Sequence, residues 1–141
     1  MVSESLIEKA KTFFNLALQT PRGKKLVDSI TWSRIVKFIV DDKPEFYLDI
    51  KRGRVEILPG DSPNNDFWEV SRVHTDIETL NRILEGRRDS VDAQYDDEAI
   101  KILPSGEYTQ VCFVHQLCRF ARDEILEQRI HEFEEVAPNE V

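Results

Sequence analysis

An α+β fold is expected from the sequence, an α/β sandwich in which a mostly antiparallel sheet is covered by helices. Three observations carry this expectation. A hairpin with period-2 alternation runs from Phe46 to Ile57, apolar stripes of helical period occupy both ends of the chain, and short strand-like runs lie between them. The resulting order of helix, strands, helix, strand and helix shows no internal repeat or interdomain linker. A chain of 141 residues fits one domain, taken as residues 1–141, large enough to bury a core without disulfides or metal.

The first helix is expected over residues 5–19. Ser5 followed by Glu8 is a capping-box pattern, and Ile7, Ala10, Phe14 and Ala17 form one stripe with Leu6 and Phe13 beside it. Pro21 and Gly23 then break the chain, and Lys24 to Ile30 is compatible with a second short helical stretch. Residues 34–40 are β-branched and aromatic and apolar on both faces, which suits a strand covered on one side and partly on the other. In the hairpin, Phe46, Leu48 and Ile50 alternate with Tyr47 and Asp49. Gly53 supplies the positive φ of the return, and Arg54 to Ile57 alternates back.

Pro59 to Asn65 is dense in turn formers. A further strand is expected from Phe67 to Val73, with Trp68 and Val70 on one face. Thr75 and Glu78 suggest a second capping box for a helix carrying Ile77, Leu80 and Leu84 and ending at Gly86. Ser90 to Tyr95 reads as one or two helical turns, and Ala99 to Leu103 as a short strand with Ile100 and Ile102 on the same side. Ser105 is the candidate N-cap of the longest helix, residues 105–133. Its stripe is Val111, Val114, Cys118, Ala121 and Ile125, flanked by Phe113, Leu117 and Phe120.

Composition narrows the function. With 19 basic and 27 acidic residues the formal charge is −8, and the Lys and Arg residues come in small scattered groups, so nucleic acid is disfavoured as a partner. No apolar run has the length of a membrane helix and the start lacks signal-peptide character, so a cytoplasmic protein without stable membrane insertion is expected. Cys112 and Cys118 sit six residues apart on one helix, a rise of about 9 Å that no disulfide spans. Neither has metal-ligand spacing, and small core residues are the expectation for both.

No cofactor or metal is implied. His74, His115 and His131 lack metal-type spacing, and the adjacent acids Asp41-Asp42, Asp96-Asp97-Glu98 and Glu134-Glu135 read as solvated turns and ends. There is no GxSxG, GxxxxGKS or GxGxxG to place a nucleophile or a phosphate, so a non-enzymatic role is expected. His115, beside the stripe of the last helix, is either a buried hydrogen-bonded imidazole or a polar group facing a ligand.

From the hairpin onward the sequence resembles the sterol carrier protein 2 family. The residues that carry the resemblance are Phe46 to Ile57 with the Gly-ended turn, Phe67 to Ser71, Ile77 to Leu84 followed by Glu85-Gly86, and Ala99 to Ile102 with its central Lys101. The similar region spans about residues 33–122. Asp97-Glu98 stands where that family often has Gly, and the C-terminal helix is longer than usual. The resemblance implies a five-stranded sheet with helices on one side, an apolar tunnel between the layers, and carriage of a sterol, fatty acid or acyl-CoA.

A broad apolar helix face laid on a sheet either packs to crystal-like density or leaves a dry cavity. The candidate lining comprises Ile35, Trp68 and Val70 from strands, Leu80, Leu84 and Tyr95 from the middle helices, Ile100 and Ile102 from the last strand, and Val111, His115 and Cys118 from the long helix. Core packing is the alternative for each. The competing functional reading is an interaction domain with a closed cavity, a homodimer whose seam would be Ile125, Leu126, Ile130 and Phe133. An enzyme using His115 with a neighbouring carboxylate ranks last.

Overall fold

Tight turns of opposite chemistry build the sheet. The structure is a computed structural model that describes residues 5–66, 68–103 and 108–136. Strands β1 (Arg34–Val40) and β2 (Lys43–Lys51) are joined through Asp41 and Asp42, both at positive φ (50° and 65°), the combination that a two-residue hairpin of matching twist requires. Gly53, at φ 76°, returns β2 into β3 (Arg54–Pro59). The chain then crosses to the far side of β1, where β4 (Val70–Thr75) pairs parallel to it and β5 (Lys101–Leu103) pairs antiparallel to β4. The five strands lie in the order β3-β2-β1-β4-β5. The sheet is therefore mixed, with its one parallel junction where a return from the edge strand makes a crossover unavoidable.

Register decides which side chains share a face. Val36 stands opposite Leu48 and Ser71, Phe38 opposite Phe46 and Val73, and Ile102 opposite Val73. These residues form the face beneath the helices, where the Phe38 and Phe46 rings stack at 4.6 Å. Lys37 and Arg72 point the other way, under the crossing loop. There Lys37 Nζ meets Asp61 Oδ1 at 2.6 Å and donates to Asn65 Oδ1, while Arg72 donates to the Asn65 carbonyl at 3.1 Å. The loop pins itself to the sheet by covering a lysine whose side chain is only 4% exposed.

Helix α1 (Leu6–Gln19) starts as expected, with Ser5 Oγ accepting from the Glu8 amide, and buries Ala10, Phe13, Phe14 and Ala17. Helix α2 (Pro21–Ser29) starts earlier than the expected Lys24, because Pro21 sits at the first helical turn, where its missing N–H costs nothing. Thr20 caps it through the Gly23 amide at 2.9 Å. Gly23 is needed there for space, since a Cβ would lie 1.9 Å from the Ala17 carbonyl oxygen.

Helix α3 (Ile77–Leu84) is capped by Asp76 and not by Thr75. The Asp76 carboxylate accepts from the Thr79 amide at 2.8 Å, while Thr75 ends β4 and donates its hydroxyl to the Ala99 carbonyl. Gly86 closes α3 at φ 77° and also admits Ile125, whose Cγ2 would lie 2.8 Å from any added Cβ. After the short α4 (Ser90–Tyr95), the long α5 (Tyr108–Val136) lays Val111, Val114, Cys118 and Ala121 on the core. Cys112, expected in the core with Cys118, is exposed, because six residues of helix turn it well away from the stripe. Arg122 and Arg129 of α5 donate to the Gly86 and Glu85 carbonyls at the end of α3. The expected strand start at Phe67 and the expected cap at Ser105 lie outside the described residues, as do the side chains of Phe133, Glu134 and Glu135; β4 begins at Val70 among the described ones.

Candidate functional site

The layer between sheet and helices is not solid. A cavity of about 40 Å³ lies among Val36, Phe38, Ser71, Val73 and Thr75 of the sheet, Leu80, Ile83 and Leu84 of α3, Ser90 of α4, and Gln110, Val111, Val114, His115 and Cys118 of α5. Phe14 of α1, Ile100 just before β5 and Ile102 within it complete its wall. On the scale where a single water needs roughly 10–15 Å³, this is room for about three waters, yet the surface offered to them is apolar, so the space is expected to stay dry.

Besides Thr75 and Gln110, polar side chains meet the cavity at two places. At one, Ser71, only 1% exposed, accepts a hydrogen bond from Arg34 Nε at 2.9 Å. At the other, Ser90 Oγ lies 2.7 Å from His115 Nδ1, and His115 Nε2 lies 2.5 Å from Gln94 Oε1. With the amide oxygen of Gln94 as acceptor, Nε2 carries the ring proton and Nδ1 accepts from the Ser90 hydroxyl.

Burial pushes the His115 imidazole below its usual range, and Arg119 adds to that, against the opposing pull of Asp89. His115 is therefore neutral at physiological pH. Asp89 caps α4, accepting from the Val91 amide at 2.7 Å and the Asp92 amide at 3.4 Å, and pairs with Arg119 at 3.3 Å. Burial raises its carboxyl, but these amides and Arg119 outweigh that and hold it below the ordinary value. Burial pushes the Cys118 thiol up to about 12, opposed by a hydrogen bond with Ser90. A thiol of that kind is inert.

Of the residues read from the sequence as lining, Leu80, Leu84, Ile100, Ile102, Val111, His115 and Cys118 surround this one cavity. Ile35, Trp68, Val70 and Tyr95 do not. Ile35 and Val70 pair with each other one residue out of phase with Val36 and Ser71, so both face away from the helices. Trp68 lies in a turn before β4, held by its amide to the Asp66 carboxylate, and is 75% exposed. Tyr95, at the end of the short α4, is exposed as well.

Ser71, Ser90 and Gln94 escaped the sequence reading. The signal for Ser71 was present as strand parity, because it alternates with Val70 just as Val36 alternates with Ile35. No local pattern pointed to Ser90, whose partner is 25 residues away.

No protein-family model and no curated protein sequence matches the chain. Solved structures do. A crystal structure of sterol carrier protein 2 superposes with a TM-score of 0.57 at 16% identity, covering 84% of this chain and 98% of that one. The chain has the sterol carrier protein 2 fold. The same fold relates it to a ubiquinone synthesis protein described as UbiJ-SCP2 (TM-score 0.55, 13% identity, 82% of this chain and 93% of that one). It also relates it to a conserved hypothetical protein of Thermus thermophilus, described as "possibly sterol carrier protein" (TM-score 0.55, 14% identity, 87% and 92%). Within this sterol carrier protein 2 fold, the described residues contain no cluster of three His, Cys, Asp or Glu able to hold a metal, and no helix long and apolar enough to cross a membrane.

Proposed function

We propose that the chain binds an apolar ligand in the cavity between the sheet and helices α3 and α5, and carries it without converting it. The observation that carries this reading is the dry hollow itself, because a packed interior normally leaves no such space between well-formed layers. The likeness in fold to proteins described as sterol carriers supports it. At its present size the cavity admits only the end of a long tail, so binding requires α5 or α1 to shift outward. Each buried methylene contributes about 0.8 kcal/mol towards that movement.

Binding without chemistry is supported by the surroundings of Ser90 and His115. Neither imidazole nitrogen meets a carboxylate, since His115 is engaged by Ser90 and Gln94. The amides of Val91 and Asp92, which could otherwise serve an oxyanion as donors, are already held by Asp89. A cytoplasmic location belongs to the same proposal. The dimer seam is less well supported, because Ile125 packs against Gly86 within the chain.

Native mass spectrometry of protein purified without denaturation tests the reading. A mass excess matching a lipid, or binding of a fluorescent fatty acid at micromolar concentration after delipidation, is expected. A folded, delipidated sample that takes up neither acyl nor sterol probes would overturn it.

A further inference from the structure

The walls of the cavity are not equally firm. Helix α1 buries Phe13 and Phe14, α3 buries Leu80 and Ile83, and α5 buries Phe113 and Leu117. Helix α4 is six residues long and buries Ser90 and Ala93, so its closure gains little more than one methyl group of apolar contact.

Polar bonds to α5 fasten it instead. Ser90 Oγ lies 2.7 Å from His115 Nδ1, and Gln94 Oε1 lies 2.5 Å from His115 Nε2, so one imidazole holds both ends of the helix. These ties form whichever ring nitrogen carries the proton, since a hydroxyl and an amide each both donate and accept. Asp89, the cap of α4, pairs with Arg119 at 3.3 Å. Arg88 bonds Asp97 within the same segment and travels with it.

Fixed posts stand on either side. Gly86, at φ 77°, receives Ile125, and Glu98, at φ 53°, leads into Ala99, whose carbonyl accepts from Thr75. Resting on the carrier reading above, we propose that α4 is the door of the cavity. Residues 87–97 swing away from His115 and Arg119, the ligand passes between α4 and α5 beside Ser90, and the same bonds re-form behind it. The larger helices give the ligand room, and α4 gives it passage. Such a door opens more often than a wall of aromatic packing, because its hydrogen bonds are exchanged for bonds with water.

Stopped-flow mixing of the delipidated full chain with cis-parinaric acid or dehydroergosterol, fluorescent acyl and sterol probes, reads entry. Transfer to excess phosphatidylcholine vesicles reads release. Gln94→Ala and Arg119→Ala each remove a fastening without altering a residue of the cavity wall. Loss of one hydrogen bond loosens the closed form roughly two- to tenfold, and entry and release should both accelerate by that factor. The Kd should stay within about twofold, because the tie is present with and without ligand and cancels. A residue that only braces the fold would not raise both rates together.

Hydrogen exchange of the native protein gives a second reading that needs no ligand. Amides of residues 91–97 should exchange faster than those of Phe13, Phe14 and Ile83, and faster again in Gln94→Ala. Unchanged rates in both variants, a change in release alone, or amides of Phe13 and Phe14 opening more readily than those of α4 would overturn the door and leave carriage intact. If the unaltered chain takes up neither probe, the carrier reading falls and this inference with it.

Discussion

Shortening one wall residue should separate a cavity that holds a ligand from a packing fault. Leu80 lines the cavity from α3 and is 2% exposed. Leu80→Ala removes an apolar branch worth about 2.5 kcal/mol of transfer free energy at roughly 0.8 kcal/mol per carbon. The vacated volume joins the existing void, whose opposite wall is the sheet. It cannot collapse fully, and a cavity cost of about 24 cal/mol per Å³ is added. The expected loss is about 3–4 kcal/mol, within the measured span for such changes and below the total stability usual for a domain. Urea denaturation followed by circular dichroism reads it, with an unchanged slope showing that the unfolded state is unaltered. The same variant should bind longer tails. In a series of straight-chain alcohols the length giving tightest binding should rise by about three carbons, the volume removed from the wall. A loss below about 1.5 kcal/mol would show that the wall closes over the gap. An unmoved optimum would show that ligands bind elsewhere.

The covered lysine makes an asymmetric prediction. Asp61→Ala leaves Lys37 buried with Asn65 as its one side-chain partner among the described residues, and should cost about 1–3 kcal/mol, less than a fully buried pair because Asp61 is 49% exposed. Lys37→Met should cost less than about 1 kcal/mol, and equal losses in urea melts would refute the reasoning. Stability should also fall in two steps on acidification. His115 is held below 6.5, so the unfolded chain takes up a proton first and stability drops as pH falls below 6.5, a step that His115→Gln should remove. Asp61, Asp76 and Asp89 are held below 3.8, so their contribution is present above 3.8 and is lost as pH falls through their lower folded values; Asp89→Asn should shrink that second step. Finally, a maleimide at neutral pH should label one thiol of the native protein, the exposed Cys112, and leave Cys118 untouched until unfolding; rapid double labelling would contradict its burial.

Much of the architecture was legible because it is written in local chemistry. The stripe of α1, the Gly53 return, the stop at Gly86 and the face of α5 each depend on residues within a few positions of one another. Errors arose where two local signals competed. Thr75 and Asp76 are both good caps, and the ladder with β1 claimed Thr75 for the strand. Pro21 reads as a breaker but opens α2. On the helices and β5, Leu80, Leu84, Ile102, Val111, His115 and Cys118 followed from periodicity, whereas Ser90 was missed and Tyr95 proved exposed. The half on β1 and β4 did not follow, because Ile35-Val36 and Val70-Ser71 are apolar or small on both sides and period-2 alternation does not say which side is inside.

Residue order was enough for the elements, the hairpin and the succession of layers, since propensity, capping and turn geometry act over a few positions. Packing in three dimensions settled which face of β1 and β4 meets the helices, that the space between is hollow, and that Ser90 reaches His115 across 25 residues. Those outcomes depend on how separate surfaces fit together, and shape complementarity between distant segments leaves no trace in the spacing of residues along either one.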